Sequence, residues 1–114
     1  MTKTLPLDIL AVEPEIGRPA EDRLIAGNPE FRTWNLEEAD GGIYAGVWES
    51  TPGKWAIRYD EWEYFNILSG HSIVTSEDGE VIELKAGDRL IIRPGFRGTW
   101  EVVETTRKDY VIRL

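Results

Sequence analysis

The sequence predicts an all-β fold, an antiparallel sandwich or barrel. Three observations support this. Short runs rich in β-branched and aromatic residues follow one another from Phe31 onward, with turn-forming residues separating them about every eight to twelve residues. No amphipathic helical window of useful length is found after residue 40. The 114 residues suffice for one domain, because two cores of half that size would be too small to be stable.

The N-terminal segment is predicted to be an arm without a long helix. Residues 1–30 contain closely spaced turn formers such as Pro6 and Pro14, which leave room for one helical turn near Ala20–Leu24. A free tail is the alternative. We expect residues 1–22 to pack on the barrel, because several large apolar side chains would otherwise be exposed. These are Ile9, Leu10, Val12, Ile16, Leu24 and Ile25.

Residues 23–114 are predicted to form the single barrel domain. Asp78-Gly79 lies between two short apolar runs and is a strong hairpin signal, while Pro52-Gly53, Ser69-Gly70 and Pro94-Gly95 mark further turns. Residues that favour strands lie between these turns. After the region that begins at Phe31, the predicted strands are 43–49, 55–59, 63–68, 72–76, 81–84, 90–92, 99–104 and 108–113.

Composition excludes several classes of function. The absence of cysteine excludes disulfides, thiolate catalysis and cysteine-bound metal centres, and the single histidine, His71, excludes a site that needs two imidazoles from one chain. A net charge of −8 argues against a nucleic-acid or anionic-membrane surface. No apolar run is long enough for a secretory signal or a spanning helix. We therefore expect a cytoplasmic protein without nucleic-acid or membrane partners.

Two segments resemble the two sequence motifs of the cupin family. In the first, Glu63 stands seven residues ahead of Gly70, and the second runs from Gly87-Asp88 to Pro94-Gly95. With the flanking Pro52–Trp55 and Trp100–Tyr110 stretches, they are similar to the small RmlC-like cupins. That group includes (S)-ureidoglycine aminohydrolase cupin domains and ethanolamine-utilisation cupins. The resemblance covers roughly residues 23–114 and implies a double-stranded β-helix, the jelly-roll cupin barrel, carrying the N-terminal arm.

The resemblance also implies a divalent metal at the barrel centre, held by three histidines and the motif glutamate. The paired histidine positions fall at Ile57 and Tyr59 (or, with the longer spacing, one residue earlier in each case), and the last falls at Gly98. Only Glu63 remains of the expected ligands, so we expect no metal and no other cofactor. An all-oxygen site for a hard cation, made by Glu63, Glu61 and Tyr59, is the alternative.

Strand alternation predicts which side chains line the barrel. If Glu63 points inward, Phe65 shares its face, and Ile57, Tyr59 and Trp100 belong to the inward sets of other strands. The parity of the strand that contains Val47 and Trp48 stays open. His71 is expected at the surface, at the start of a strand, and Arg107-Lys108 is expected to be a solvated or sheet-edge charge pair.

A carboxylate in an apolar cavity must take a proton or pair with a cation, and such carboxylates serve proton transfer. Glu63 is therefore a candidate acid or base, with Tyr59 as a hydrogen-bond donor. A purely structural Glu63, or one that points outward, is equally open. The candidate substrate-binding residues are Trp48, Trp55, Phe65, Arg93 near the mouth, and Trp100.

The function that the sequence favours is binding of a small polar metabolite in the barrel without a tightly bound metal. Whether the protein is an enzyme stays open. The alternatives are a non-catalytic dimeric module with a vestigial site and a metal-dependent, amidohydrolase-like cupin. We expect a homodimer formed through the outward-facing residues Trp62, Tyr64, Asn66 and Leu68.

Overall fold

A computed structural model describes residues 2–114 and confirms the all-β jelly-roll barrel. Nine strands follow a 3-10 turn at Ile9–Ala11. They are β1 (Glu15–Gly17), β2 (Leu24–Gly27), β3 (Phe31–Ala39), β4 (Ile43–Ser50), β5 (Gly53–Arg58), β6 (Trp62–Ser76), β7 (Val81–Lys85), β8 (Arg89–Ile92) and β9 (Arg97–Arg113). Within residues 2–114, no helix is long and apolar enough to cross a membrane.

The strands form two antiparallel layers that share their two longest members. The first layer has the order β1-β3-β4-β9-β6-β8 and uses the C-terminal half of β9 with the N-terminal half of β6. The second has the order β2-β5-β9-β6-β7 and uses the other halves of β9 and β6. The layers therefore close into a barrel through two strands that pass from one to the other.

This continuity corrects two predicted breaks. Separate strands were expected on either side of Ser69-Gly70 and between 104 and 108, whereas β6 and β9 run through both points. Gly70 has φ +94°, and a Cβ there would lie 2.1 Å from the carbonyl oxygen of Thr105. The turn-forming residues thus mark a bend in which β6 and β9 change register together, without reversing the chain.

The N-terminal arm is attached through its backbone. β1 pairs with β3, β2 pairs with β5, and the 3-10 turn contacts β3. The expected helical turn is present, since the amide of Leu24 donates to the carbonyl of Ala20. The apolar side chains of the arm are not covered within one chain, however: Leu10 is 90% exposed, Ile16 55% and Ile25 53%.

The core lies between the two layers and follows the alternation of the strands. Phe65, Ile67 and Val74 on β6 and Trp100 and Val102 on β9 are all at most 2% exposed. Polar side chains in this core are paired with one another, as the following hydrogen bonds show. Ser72 and Thr106 share a hydrogen bond of 2.7 Å, and the Trp100 indole donates to Ser72 at 3.1 Å.

Candidate functional site

A cavity of about 530 Å³ opens between the two layers. Strands β1, β3, β4, β5 and β9 contribute to its walls, together with the segment 59–63. Aromatic residues are the largest group in the wall, which is typical of small-molecule sites. The aromatic residues are Phe31, Tyr44, Trp48, Trp55, Tyr59, Trp100 and Tyr110.

The carboxylate of Glu63 lies in the wall of this cavity and is almost fully buried, with 2% of the residue exposed. Both of its oxygens accept hydrogen bonds. The Tyr59 hydroxyl donates to Oε1 at 2.5 Å, and the Lys108 ammonium donates to Oε2 at 3.0 Å. The buried carboxylate is therefore paired with a cation.

Lys108 corrects the prediction of a solvated charge pair at 107–108. Arg107 does lie near the surface, where it pairs with Glu49, but Lys108 is only 5% exposed. Strand alternation is the reason, because Lys108 shares the inward face of β9 with Tyr110. Part of the signal was present in the sequence, because an inward-facing Tyr110 on the predicted strand 108–113 places Lys108 in the barrel as well.

Aromatic rings surround the Lys108 ammonium. Its Nζ lies 4.8 Å from the ring centre of Trp48 and 4.6 Å from those of Phe65 and Trp100. Each distance is within the range of cation–π attraction. The ammonium is thus held by one carboxylate and three rings.

The two tyrosines near Glu63 are poor acids. Burial, followed by the charge and the hydrogen bond of Glu63, raises the pKa of the Tyr59 phenol well above its usual value of 10.0. Burial and the charges of Glu63 and Glu15 raise the pKa of Tyr110 to about 12. Tyr110 donates to the side-chain oxygen of Asn35 at 3.0 Å. At neutral pH both phenols are therefore hydrogen-bond donors.

The structure brings most of the predicted site residues together. Trp55, Trp100 and Tyr59 line the cavity with Glu63, and Trp48 resolves the open parity of β4 by lining it as well. Val47 faces the opposite side of the sheet.

Two predicted substrate-binding residues lie elsewhere. Phe65 is fully buried two residues beyond Glu63, so it supports Lys108 from the core and is not in the cavity wall. Arg93 is exposed and lines a different depression. It follows the buried, inward-facing Ile92, so alternation turns it away from the barrel.

His71 is half-buried in the continuous strand β6, not at the start of a strand as expected. Its Nε2 lies 3.3 Å from a carboxylate oxygen of Glu83, on the neighbouring strand β7. His71 does not line the cavity.

The residues at the expected metal positions do not fit a divalent transition metal. Ile57 carries no ligand atom, and Tyr59 holds its proton against Glu63. Gly98 has no room for any side chain, since a Cβ there would lie 2.0 Å from the carbonyl oxygen of Thr75. The Lys108 ammonium already contacts the remaining ligand, Glu63. Among residues 2–114, no three His, Cys, Asp or Glu side chains are close enough to share an ion.

A second depression adjoins the cavity at the edge of β5. The two share Phe31, Trp55, Ile57, Tyr59 and Glu61 as lining residues, so they are neighbours. The second depression differs in charge, because three arginines line it against two acidic residues, Asp22 and Glu61. The arginines are Arg18, Arg23 and Arg58.

Comparison with known proteins agrees with this architecture. Residues 37–110 match the family model described as the EutQ-like cupin domain. None of the curated proteins matches the chain.

Several solved structures are similar. A protein of unknown function from Pseudomonas syringae pv. tomato DC3000, of the DUF861 family, superposes with a TM-score of 0.82 and 28% identity over 93% of this chain and 46% of its own. The present chain thus spans about half the length of that protein.

Two EutQ structures are more distant and show the fold alone. EutQ from Salmonella typhimurium LT2 has a TM-score of 0.67 and 23% identity, over 86% of this chain and 77% of its own. EutQ from Clostridium difficile has a TM-score of 0.67 and 19% identity, over 85% and 79%. The resemblance to ureidoglycine aminohydrolase in particular stays a prediction. With nearly two thirds of its residues matched by the family model, the chain belongs to the EutQ-like cupin family.

Proposed function

We propose that this cupin binds a small polar molecule in the barrel cavity and does so without a tightly bound metal ion. The observation that carries the proposal is the buried ion pair of Glu63 and Lys108 in an aromatic cavity wall. The ammonium supplies a positive charge next to the glutamate, where the cupin resemblance implies a metal. A metal is then not needed to balance the charge of Glu63.

The energetics of the pair support a functional role. Removing two charges from water costs several kcal/mol, of the order of the attraction regained, so a buried ion pair adds little stability compared with apolar side chains. A core built for stability alone would be better served by apolar residues at positions 63 and 108. Because the pair instead forms part of a cavity wall, binding is the simpler explanation for it.

If the protein is an enzyme, the hydrogen-bond partners of Glu63 limit how it can transfer a proton. Both carboxylate oxygens are occupied, one by Tyr59 and one by Lys108. A proton on Glu63 removes the negative charge that holds the Lys108 ammonium, so protonation of Glu63 costs this ion pair. We accordingly place binding before proton transfer, and keep Glu63 as the acid or base of the catalytic version of the proposal.

A thermal-shift screen of amines, ureido acids and sugars tests the proposal. We expect at least one compound to raise the melting temperature, since a ligand at a hundred times its Kd stabilises by about 2.7 kcal/mol. Lys108→Met together with Glu63→Gln removes both charges while leaving neither partner unpaired, and should abolish the response. Glu77→Gln, in an exposed turn, is the matched control. A response that survives the double substitution would contradict the proposal, as would no response at all.

A homodimer is the second part of the proposal. Tyr64 on β6 lies between Ile91 on β8 and Val111 on β9, all on the outer face of the first layer. Ile91 is 48% exposed and Leu68 43%. An outer sheet face that exposes such side chains is suited to pairing with a second copy of the chain.

A further inference from the structure

The walls of the cavity carry an excess of negative charge. Four carboxylates line it, against the single ammonium of Lys108, which leaves a formal excess of three negative charges. Lys108 and Glu63 offset each other through their contact at 3.0 Å. The excess therefore belongs to the other three carboxylates, Glu15, Glu38 and Glu61.

These three carboxylates are available to a ligand. They come from β1, from β3 and from the segment after β5, and within residues 2–114 none has a cationic side chain within 4.0 Å. Two of them act on groups in the wall, since the charge of Glu61 contributes to the raised pKa of Tyr59 and that of Glu15 to the raised pKa of Tyr110. Their fields thus extend into the cavity.

Three aromatic rings of the wall form a cluster that faces the same space. The ring centre of Phe31 lies 5.4 Å from that of Trp48 and 4.9 Å from that of Trp55, and the two indoles are 6.2 Å apart. Phe31 and Trp48 are partly exposed to the cavity. Aromatic faces attract organic cations, and they also accept the alkyl groups that such cations carry.

The arrangement does not suit an inorganic cation. No three acidic or imidazole groups of residues 2–114 are close enough to share one ion. Carboxylates spread around a mouth raise the local concentration of a cation without coordinating it. An organic cation needs no such coordination, because rings and distant charges suffice.

We infer that the molecule bound in the cavity is a small organic cation, an alkylammonium or quaternary ammonium compound. The combined charge of Glu15, Glu38 and Glu61 attracts it into the cavity, and its alkyl groups lie against Phe31 and Trp48. The inference rests on the proposed binding function and adds the chemical class of the ligand.

Three probes of nearly the same shape test the charge preference. Tetramethylammonium is cationic, tert-butanol is neutral and pivalate is anionic. Binding is followed by NMR through the indole N–H signals of Trp48 and Trp55, assigned by replacing each tryptophan with phenylalanine. We expect tetramethylammonium to bind about tenfold more tightly than either of the others, and the preference to shrink as salt is raised.

Substitution of the carboxylates shows which of them cause the preference for a cationic probe. Glu38→Gln and Glu61→Gln should each weaken tetramethylammonium binding about two- to fivefold, as expected for partly exposed charge pairs. Glu77→Gln lies in an exposed turn away from the cavity and should leave it unchanged. Equal binding by Glu38→Gln, Glu61→Gln and the unaltered chain would overturn the inference.

The outcomes separate the inference from the proposed function. If pivalate or tert-butanol moves the two indole signals as strongly as tetramethylammonium does, the ligand class is wrong and the binding cavity stands. Preferred binding of pivalate would assign recognition to Arg23 and Arg58 in the adjoining depression. If none of the three probes moves either signal, the inference is contradicted, and the thermal-shift screen decides separately whether the cavity binds another small polar molecule.

Discussion

A single buried lysine, Lys108, balances the charge of Glu63 inside this barrel. In the wall of an aromatic-rich cavity, Lys108 provides the positive charge that keeps Glu63 paired. The same residue lies against three rings, so its side chain is held on all sides. Substitution at either end of the ion pair therefore leaves a buried charge alone, which typically costs about 3–5 kcal/mol.

Tyr59 makes stability sensitive to alkaline pH. Its pKa in the folded chain is raised well above the usual 10.0, so the unfolded chain loses this proton first as pH rises. The resulting stabilisation is fully present below pH 10 and is lost as pH rises towards the raised pKa. Above pH 10, we expect the unaltered chain to lose about 1.4 kcal/mol per pH unit more than Tyr59→Phe does.

Urea unfolding at several pH values above and below 10 measures this difference, and tyrosinate absorbance reports the ionisation directly. Tyr64→Phe, on the outer face of β6, is the control and should follow the unaltered chain. Parallel stability curves for the unaltered chain and Tyr59→Phe would contradict the assigned burial of the phenol.

At the scale of the element, the bend shared by β6 and β9 determines the architecture. Each strand belongs to both layers, so a straight β6 would leave the barrel open. The bend depends on Gly70, where the backbone of Thr105 approaches so closely that no side chain fits. Gly70 thus allows β6 to belong to both layers.

Gly70→Ala should be far more destabilising than Gly79→Ala. Both glycines have a similar positive φ, +94° and +97°, which costs an alanine roughly 1–2 kcal/mol. Only at Gly70 does the new Cβ also meet backbone, at 2.1 Å from the carbonyl oxygen of Thr105, whereas nothing lies within 4 Å at Gly79. We expect a difference of at least about 2 kcal/mol in the free energy of unfolding by urea denaturation.

A Gly70→Ala chain that does not fold at all, while Gly79→Ala folds, agrees with this expectation. Equal stability of the two variants would show that the close approach at Thr105 can be relieved, and the account of the bend would be wrong.

At the scale of the whole molecule, two of the surfaces that expose apolar side chains bear on assembly. One is the N-terminal arm, which uses its backbone for pairing while side chains such as Leu10 and Ile16 stay exposed. The other is the outer face of the first layer around Tyr64 and Ile91. We propose this second surface as the dimer interface, because it is a regular sheet face.

Light scattering should give twice the mass of one chain. Ile91→Lys places a charge at the centre of the proposed interface and should shift the equilibrium to the monomer. Val81→Lys is the matched control, since Val81 is 65% exposed on β7, outside that face. A monomer in the unaltered chain, or a dimer that Ile91→Lys leaves intact, would rule out this interface.

Much of the fold follows from local patterns in the sequence. Alternation of apolar residues and the turn at Asp78-Gly79 predict the hairpin of β6 and β7, and the same alternation places Tyr59 and Trp100 in the barrel. Glu63 is identified by its position in the sequence, seven residues ahead of Gly70. These signals are local, because side-chain direction in a strand depends only on counting residues from a known neighbour.

Only the tertiary structure shows where the inward and outward alternation of side chains along a strand is interrupted. A glycine signal at 70 is the same for a turn and for a bend, and only the approach of Thr105 distinguishes them. Likewise, the predicted strand 108–113 places Lys108 and Tyr110 on one face, but only the tertiary structure shows that this face points into the barrel. Trp48, Phe65 and Glu63, which contact Lys108, lie on β4 and β6, far from it in the chain, so no local pattern records that these residues meet.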